Sequence, residues 1–323
     1  MTEPSARDEV RVLFLGGLGR SGTTLLERLI SQQPRVVALG EVVHLWQRSL
    51  KDNELCGCAR SFHECPFWTE VGDSAFGGWD NVDAERVLSL RSRVDRSRRV
   101  PRIETGLASA SWKADLREYV SYYQRLYAAA ARVSDCEVVL DSSKQASLPY
   151  CLSTSDRIDL RVVHCLRDSR AVAYSWGQEV LRPESTTDQA SRMHRFSPGA
   201  AGFYWMLHNA EIDVFGMRHG RTMRLRYEDW VKDPRGSLRA VRRLADLDPA
   251  GDDRGSGLDF DLRTTHTCSG NPMRFKQGPI QLRSDDRWRR QMRRRDILTV
   301  SAVTWPLLRR YGYVGPRALR PTS

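Results

Sequence analysis

The chain has 323 residues, a net charge of +11 and a hydrophobic fraction of 40%. This apolar content excludes disorder along the whole length, and the longest apolar run, 12–18, falls far short of the roughly 20 residues that a membrane-spanning helix requires. Residues 1–10 lack the apolar stretch of a signal peptide, and seven cysteines, an odd number, do not suit a secreted disulfide framework, so we expect a cytoplasmic protein.

In chain order, short apolar runs alternate with stretches of helical periodicity. The runs predict strands at 11–15, 36–39, 136–140, 160–166 and 222–225. Helices are predicted between Gly22 and Pro34 and at 118–133, 203–218 and 289–311. This alternation is typical of a parallel sheet covered on both faces. We expect an α/β fold with three α/β/α layers around a central parallel sheet, in a single domain over 10–315 between mobile ends at 1–9 and 316–323.

Arginine supplies nearly all of the positive charge, because only five of the 51 basic residues are lysine. This preference for arginine over lysine is typical of GC-rich coding sequences. The alternative explanation of the charge is a nucleic-acid-binding surface. The densest patch, 287–295, has six arginines in nine residues. The solvated face of a C-terminal helix explains that patch better, so we expect no nucleic-acid partner.

The most informative stretch is the glycine-rich loop 16–25 (GGLGRSGTTL), between the first predicted strand and its helix. Backbone N–H groups in such a loop, together with the helix N-terminus, bind phosphate-like anions. Residues 17–24 nearly fit the nucleotide-binding pattern GxxxxGK[ST], but Thr23 stands where lysine should be. That lysine contacts the outer phosphates of a triphosphate, so its absence argues against a kinase. Asp141, placed after a strand like a metal-binding aspartate, keeps a small-molecule kinase as the alternative.

The segment Arg20–Leu25 (RSGTTL) resembles the 5′-phosphosulfate loop of sulfotransferases that use 3′-phosphoadenosine 5′-phosphosulfate (PAPS). Cytosolic members of the family have lysine in place of Arg20. With arginine at this position, the loop is similar to that of the tyrosylprotein, carbohydrate and many bacterial branches. Arg167 and Ser175, which follow the predicted strand 160–166, resemble the 3′-phosphate motif of the family. Taken alone, Arg167 could instead be a structural ion-pair partner of Asp168 or another carboxylate. The resemblance implies a P-loop-like α/β fold.

Further matches extend the resemblance from about residue 10 to 313. They lie at 141–144, 227–234, 270–279 and 305–312. The resemblance implies PAPS as the sulfuryl donor and 3′-phosphoadenosine 5′-phosphate (PAP) as the product, with no metal required. The implied nucleotide-binding residues are Gly19, Arg20, Ser21, Gly22, Thr23, Thr24, Arg167, Ser175, Tyr227, Arg274, Phe275 and Lys276.

Four residues are candidates for the chemistry. Glu41 matches the catalytic glutamate of the tyrosylprotein-type branch and is the predicted general base, which requires burial to raise its pKa. Alternatively, Glu41 caps the following helix, and His44 is the second candidate base. Arg20 and Lys144 are expected to neutralise negative charge on the sulfuryl and phosphate groups. The alternative for Lys144 is a lysine exposed to solvent.

Residues 42–135 and 181–201 are expected to form the acceptor site. The first range is rich in aromatic residues, which suit an apolar or sugar-bearing small molecule but could also fill a core: Trp46, Phe62, Phe67, Trp68, Phe76, Trp79 and Trp112. We expect the acceptor to be a hydroxyl of a natural product, glycolipid or sugar. A homodimer is an open alternative.

Three cysteines, Cys56, Cys58 and Cys65, lie within ten residues, with His63 between them. Zinc sites usually show paired CxxC-type spacing, and this cluster is more compressed. Similar Cys-Gly-Cys and Cys-Pro-Phe-Trp segments occur in related bacterial sulfotransferases, and the resemblance implies a loop near the acceptor. Zinc, a disulfide and free thiols remain open, with free thiols the expectation.

Overall fold

The computed structural model describes residues 9–179, 194–248 and 258–315. The predicted mobile ends, apart from residue 9, lie outside these ranges. Of the predicted acceptor element 181–201, residues 181–193 lie outside these ranges and residues 194–201 lie within them. The element 42–135 is described in full.

Five parallel strands form the central sheet, in the order β2-β3-β1-β4-β5. Their bounds are β1 Val10–Gly16, β2 Val36–Gly40, β3 Val138–Lys144, β4 Ile158–Leu166 and β5 Thr222–Arg226. Each corresponds to a strand predicted from an apolar run. The main difference is that β3 extends to Lys144, because Asp141, Ser142 and Ser143 continue the strand as buried polar residues. The short strands β6 Asp259–Leu262 and β7 Gly278–Gln281 pair antiparallel in a separate sheet.

Helices cover both faces of the central sheet. Along the chain they are α1 Thr23–Ile30, α2 Pro66–Phe76, α3 Ala84–Val94, α4 Val100–Thr105, α5 Ala110–Val133, α6 Ser147–Leu152, α7 Ser169–Gly177, α8 Pro198–His219, α9 Tyr227–Trp230, α10 Pro234–Leu244, α11 Trp288–Gln291 and α12 Arg294–Arg310. Val12 and Phe14 of β1 pack into the core that contains α5, whereas Leu13 and Leu15 pack into the core of α1 and α10. Alternate residues of a strand point to opposite faces, so the predicted three-layer fold is confirmed.

The aromatic residues of the element 42–135 mainly fill a core. Trp46, Trp68 and Phe62 are almost completely buried, and Phe76, Trp79 and Trp112 are buried with them. Their rings pack on one another and on tyrosines of α5. The aromatic residues of this region therefore form a core, and their number does not indicate the chemistry of the acceptor.

The arginine patch 287–295 is divided between α11 and α12, and its six arginines are solvent-exposed. Arg287 pairs with Asp285, and Arg289 lies near Asp286. This arrangement agrees with the predicted solvated surface. In the described ranges, no helix is both long and apolar enough to pass through a bilayer.

Candidate active site

The glycine-rich loop 17–22 joins β1 to α1 and leaves the start of α1 open to a ligand. Gly22 stands before α1 with φ 79°, and no side chain caps the helix. A Cβ atom at Gly17, where φ is 130°, would lie 2.4 Å from a backbone oxygen of β4, so only glycine fits there. Thr23 and Thr24 begin the helix and are buried. Uncapped N–H groups at a helix N-terminus are suited to a phosphate or sulfate group.

Trp176 of α7 braces this loop from one side. Its indole Nε1 donates to the carbonyl oxygen of Gly19 at 2.9 Å. The guanidinium carbon of Arg20 lies 5.4 Å from the centre of the Trp176 ring. Ser21 donates its hydroxyl to the carbonyl of Leu18 at 2.8 Å, within the loop. The loop is thus held in one shape before any ligand binds.

Arg167, at the end of β4, lies directly against the same loop. It donates to the carbonyl of Arg20 at 3.1 Å and to that of Asp285 at 3.0 Å. Its guanidinium carbon lies 4.4 Å from the centre of the Tyr227 ring. That ring also packs on Gly22, where a Cβ atom would approach it to 2.6 Å. Four of the predicted nucleotide residues, Arg20, Gly22, Arg167 and Tyr227, therefore meet at one place.

Arg167 does not pair with Asp168, but it forms an ion pair with another carboxylate, so that part of the alternative stands beside the predicted phosphate role. Asp168 pairs with Arg170 at 2.6 Å, whereas the nearest carboxylate to Arg167 is that of Asp285, at 3.4 Å. Ser175 lies in the last turns of α7 and is half-buried, next to Trp176. The placement of Arg167 and Ser175 beside the loop is compatible with the predicted 3′-phosphate site.

Glu41 and Lys144 form a partly buried ion pair at the carboxyl end of β2 and β3. The ammonium group of Lys144 donates to Oε1 of Glu41, and these side chains are 12% and 15% exposed. Lys144 is therefore not a solvated lysine. Glu41 precedes a short 3-10 helix, Val42–His44, but its side chain does not cap it, so the capping alternative is also wrong. Nε2 of His44 lies 3.7 Å from Oε2 of Glu41.

The pKa of Glu41 is shifted opposite to the sequence-based expectation. Burial alone would raise it, but the charge and hydrogen bond of Lys144, together with the charge of Arg48, hold it below its ordinary value. Burial and the charge of Arg48 lower the pKa of His44 to about 3. At neutral pH, Glu41 is therefore ionised and His44 is neutral.

A cavity of about 340 Å³ opens between the loop and this ion pair. It is lined by Gly17, Leu18, Gly19, Glu41, Val43, His44, Arg96, Ser97, Ser143, Lys144, Gln145, Ser147, Trp176 and His208. Arg96, Ser97 and His208 were not among the candidates from the sequence. His208 lies on α8, and no local signal distinguishes it from a packing histidine. Burial lowers its pKa to about 4.

A family model described as the sulfotransferase domain matches residues 11–256. The chain belongs to the sulfotransferase family. Three solved structures are similar to it at low identity. The sulfotransferase domain from the curacin biosynthetic pathway is 14% identical, with a TM-score of 0.49, and the match covers 95% of this chain and 99% of that one.

Sulfotransferase STF9 from Mycobacterium avium is 16% identical over 74% of this chain and 64% of its own, with a TM-score of 0.39. A sulfotransferase from Alicyclobacillus acidocaldarius is 13% identical over 91% and 95%, with a TM-score of 0.38. No curated protein matches the sequence significantly.

The sulfotransferase has a buried carboxylate close to Glu41, that of Glu27 of α1, which was not predicted. It accepts a hydrogen bond from the backbone N–H of Gly40 at 3.0 Å, and so it positions the residue directly before Glu41. Burial raises the pKa of Glu27 to about 7, against the opposing charge of Lys144. The sequence signal was a carboxylate on the apolar face of a short amphipathic helix.

Changing Glu27 to Gln is expected to alter how stability depends on pH. Because the folded-state pKa is raised to about 7, the wild-type protein loses free energy of unfolding as pH rises from about 4.5 through about 7. Glutamine can still accept the Gly40 bond and does not ionise. Relative to wild type, the variant should therefore gain up to about 3 kcal/mol between pH 5 and pH 8. Urea unfolding at both pH values measures this, and an equal difference at both would contradict it.

The predicted residues Arg274, Phe275 and Lys276 lie in a segment of the sulfotransferase that contacts α1, because Arg28 of α1 donates to the carbonyl of Lys276 at 2.7 Å. Arg274 is fully buried and donates to the backbone oxygens of Thr267 and Leu55 at 2.8 and 2.7 Å. Its guanidinium carbon lies 4.2 Å from the centre of the Phe275 ring, and Lys276 is exposed. These contacts give Arg274 a structural role, whereas the nucleotide-binding roles of Phe275 and Lys276 stay predictions.

Asp141 is also structural in this sulfotransferase. Its Oδ1 accepts the backbone N–H of Ser143 at 2.7 Å and the hydroxyl of Ser143, while Oδ2 accepts from Tyr127. Burial raises its pKa to about 6. Ser143 in turn accepts from the N–H of Val43 at 2.9 Å. Asp141 thus fixes the backbone segment after Glu41 through Ser143. Because its carboxylate oxygens accept these hydrogen bonds, the arrangement does not favour the metal-binding role that a kinase would require.

Proposed function

We propose that this sulfotransferase transfers the sulfuryl group of PAPS to a hydroxyl group of a small molecule. The observation that carries the proposal is the cavity in which Glu41 and Lys144 face the glycine-rich loop. Arg20 and Arg167 flank that loop, so two separate anionic groups of one nucleotide can be neutralised beside it. The glycines of the loop and the uncapped start of α1 fit a phosphosulfate group.

The nucleotide would be held by residues already in contact with one another. The loop N–H groups and Arg20 would bind the 5′-phosphosulfate, with hydroxyl donors from Thr23 and Thr24. Arg167 and Ser175 would bind the 3′-phosphate, and Tyr227 would cover the same end. PAPS supplies the activated sulfuryl group. The protein contributes mainly position and charge, as in phosphoryl transfer.

Glu41 is the proposed general base. The acceptor oxygen forms a bond to sulfur, the bond from sulfur to the 5′-phosphate oxygen breaks, and the hydroxyl proton moves to Glu41. Lys144 lies between this base and the loop, since a Cβ atom at Gly19 would be 4.0 Å from its Cδ. An anionic donor shares the charge of Lys144, which raises the proton affinity of Glu41 at the time of transfer. His44, with a pKa near 3, is the weaker candidate.

The cavity lining favours a polar acceptor. Arg96, Ser97, Gln145, Ser147 and His208 contribute charged or hydrogen-bonding groups. Among the described residues, Trp176 contributes the indole side chain of the cavity lining. A hydroxylated natural product, a sugar or the sugar part of a glycolipid suits this lining. The cytoplasmic location and the homodimer stay predictions.

Two measurements test the proposed function. PAP should bind saturably and raise the melting temperature, whereas ATP should not, because ligands that bind only the folded state stabilise it. The enzyme should then move labelled sulfate from PAPS into a small molecule of a cell extract, detected by mass spectrometry. Stabilisation by ATP without stabilisation by PAP would favour the kinase alternative. Label that reaches only protein would contradict a small-molecule acceptor.

A further inference from the structure

Four side chains from distant parts of the chain converge beside the acceptor-site element. They are Cys56, Cys58, Cys65 and His266, and their ligand atoms all lie within 4.8 Å of one another. His266 is 201 residues beyond Cys65, so the fold itself brings the histidine to the thiols. Cys56 and Cys65 are buried, and Cys58 and His266 are half-buried.

The distances match the edges of a tetrahedron around one metal ion. The sulfur atoms of Cys58 and Cys65 are 3.7 Å apart. Nδ1 of His266 lies 3.2 Å from the sulfur of Cys65 and 3.9 Å from that of Cys56. Sulfur and nitrogen ligands of a tetrahedral zinc ion, at their usual bond lengths, lie about 3.5–3.8 Å from one another.

The backbone around the cysteines supports thiolate ligands. Residues 56–59 form a tight turn, in which the N–H of Ala59 donates to the carbonyl of Cys56 at 2.8 Å and Ala59 has φ 67°. The N–H groups of Cys58 and Trp68 donate to the sulfurs of Cys56 and Cys65. Hydrogen bonds of this kind stabilise the negative charge of metal-bound sulfur.

The histidine is held in place from outside the cluster. Its ring stacks on Phe67, with the ring centres 5.2 Å apart and an angle of 23° between the planes. Gly57 donates to the carbonyl of Thr267 at 2.9 Å, and a Cβ atom at Gly57 would lie 2.6 Å from the carbonyl oxygen of Thr265. The two segments therefore approach as closely as glycine permits.

We propose that Cys56, Cys58, Cys65 and His266 bind a zinc ion. Three thiolates and one imidazole complete a tetrahedral shell, which leaves no position for a substrate, so the ion is structural. His63, the histidine nearest in sequence, is not a ligand, because its Nε2 lies 3.0 Å from the carbonyl oxygen of Leu50. This proposal changes the expectation that no metal is required: the ion would stabilise the fold. The transfer step is still expected to proceed without a metal.

The ion would connect the acceptor-site element to the segment that holds the proposed base. Cys268, two residues after His266, accepts the N–H of Glu41 through its carbonyl at 3.0 Å. A Cβ atom at Gly270 would lie 3.3 Å from Oε1 of Glu41. Arg274 joins the same two segments through Leu55 and Thr267. Metal binding would thus fix the backbone segment that contacts Glu41.

Metal content of the full-length protein tests the proposal. The protein is produced in zinc-supplemented minimal medium, purified under reducing conditions without chelator, and analysed by elemental mass spectrometry. About one zinc ion per chain is expected. After exchange, Co²⁺ should give the absorption bands of a tetrahedral thiolate site, which requires no activity assay. These two measurements on the wild type stand even if the variants fail to fold.

Two matched pairs of variants identify the ligands. His266→Ala and Cys65→Ser should lower the zinc content at least about tenfold, whereas His63→Ala and Cys136→Ser should retain it. A chelator should lower the melting temperature of the wild type and of both controls. Wild-type protein without stoichiometric zinc, a disulfide among the three cysteines in metal-free protein, or undiminished zinc in His266→Ala would each overturn the proposal.

Discussion

Replacing Glu41 with Gln should lower kcat by about 10²- to 10⁴-fold, while PAP still binds. Glutamine keeps the size of the side chain but cannot accept the proton of the acceptor hydroxyl. The proposed nucleotide-binding groups around Arg20 and Arg167 lie on other elements and should be unaffected. Turnover with labelled PAPS and thermal stabilisation by PAP measure the two effects separately.

The control for this change is Glu137→Gln. Glu137 pairs with Arg35 on the surface, 2.6 Å away, and its side chain is 40% exposed. Both variants remove one negative charge, but only the change at Glu41 should stop turnover. Near-normal turnover of the Glu41 variant would show that another group, with His44 the first to examine, accepts the proton.

Replacing Arg167 with Ala should weaken PAP binding by about 10- to 100-fold, because a charged hydrogen bond to phosphate contributes about 1.5–3 kcal/mol. The distinguishing measurement is the comparison with adenosine 5′-phosphate, which has no 3′-phosphate. Wild-type protein should bind PAP more tightly than this nucleotide. The variant should lose most of that preference. Titration calorimetry gives both dissociation constants.

Arg290→Ala serves as the control, because Arg290 is exposed on α11 and its removal changes the net charge equally. It should leave both affinities unchanged. Arg167 also donates to the carbonyls of Arg20 and Asp285, so the change could loosen the loop. In that case both nucleotides would lose affinity by the same factor, and the 3′-phosphate assignment would be wrong.

The parts of the fold that depend on local pattern could be predicted from the sequence. The run 11–15, the glycines that follow it and the apolar spacing after Gly22 specify a strand, a tight loop and a helix, and the structure has β1, the loop and α1 there. Arg167 was assigned by its resemblance to a family motif, and its place after β4 agrees with the rule that ligands bind where the strands of a parallel sheet end.

Other features depend on contacts between distant segments, which residue spacing does not contain. Arg274 was expected at the nucleotide because it is basic and lies in a loop, but carbonyls of Leu55 and Thr267 bury it. Burial of Glu41 was expected to raise its pKa, but the nearby charges of Lys144 and Arg48 reverse the effect. His266 could not be assigned to the cysteines, because only tertiary folding brings it there.

The position of Cys268 bears on where this catalytic unit ends. β2 is one of the two edge strands of the central sheet. The N–H of Cys268 donates to the carbonyl of Leu39 at 2.8 Å, and its carbonyl accepts from the N–H of Glu41 at 3.0 Å. The family match stops at residue 256, before this strand-edge contact. A chain shortened to the matched region would expose a strand edge prone to intermolecular pairing and would release the backbone of Glu41. The minimal autonomous unit therefore includes the C-terminal segment, and genetic exchange of catalytic modules would have to carry it along.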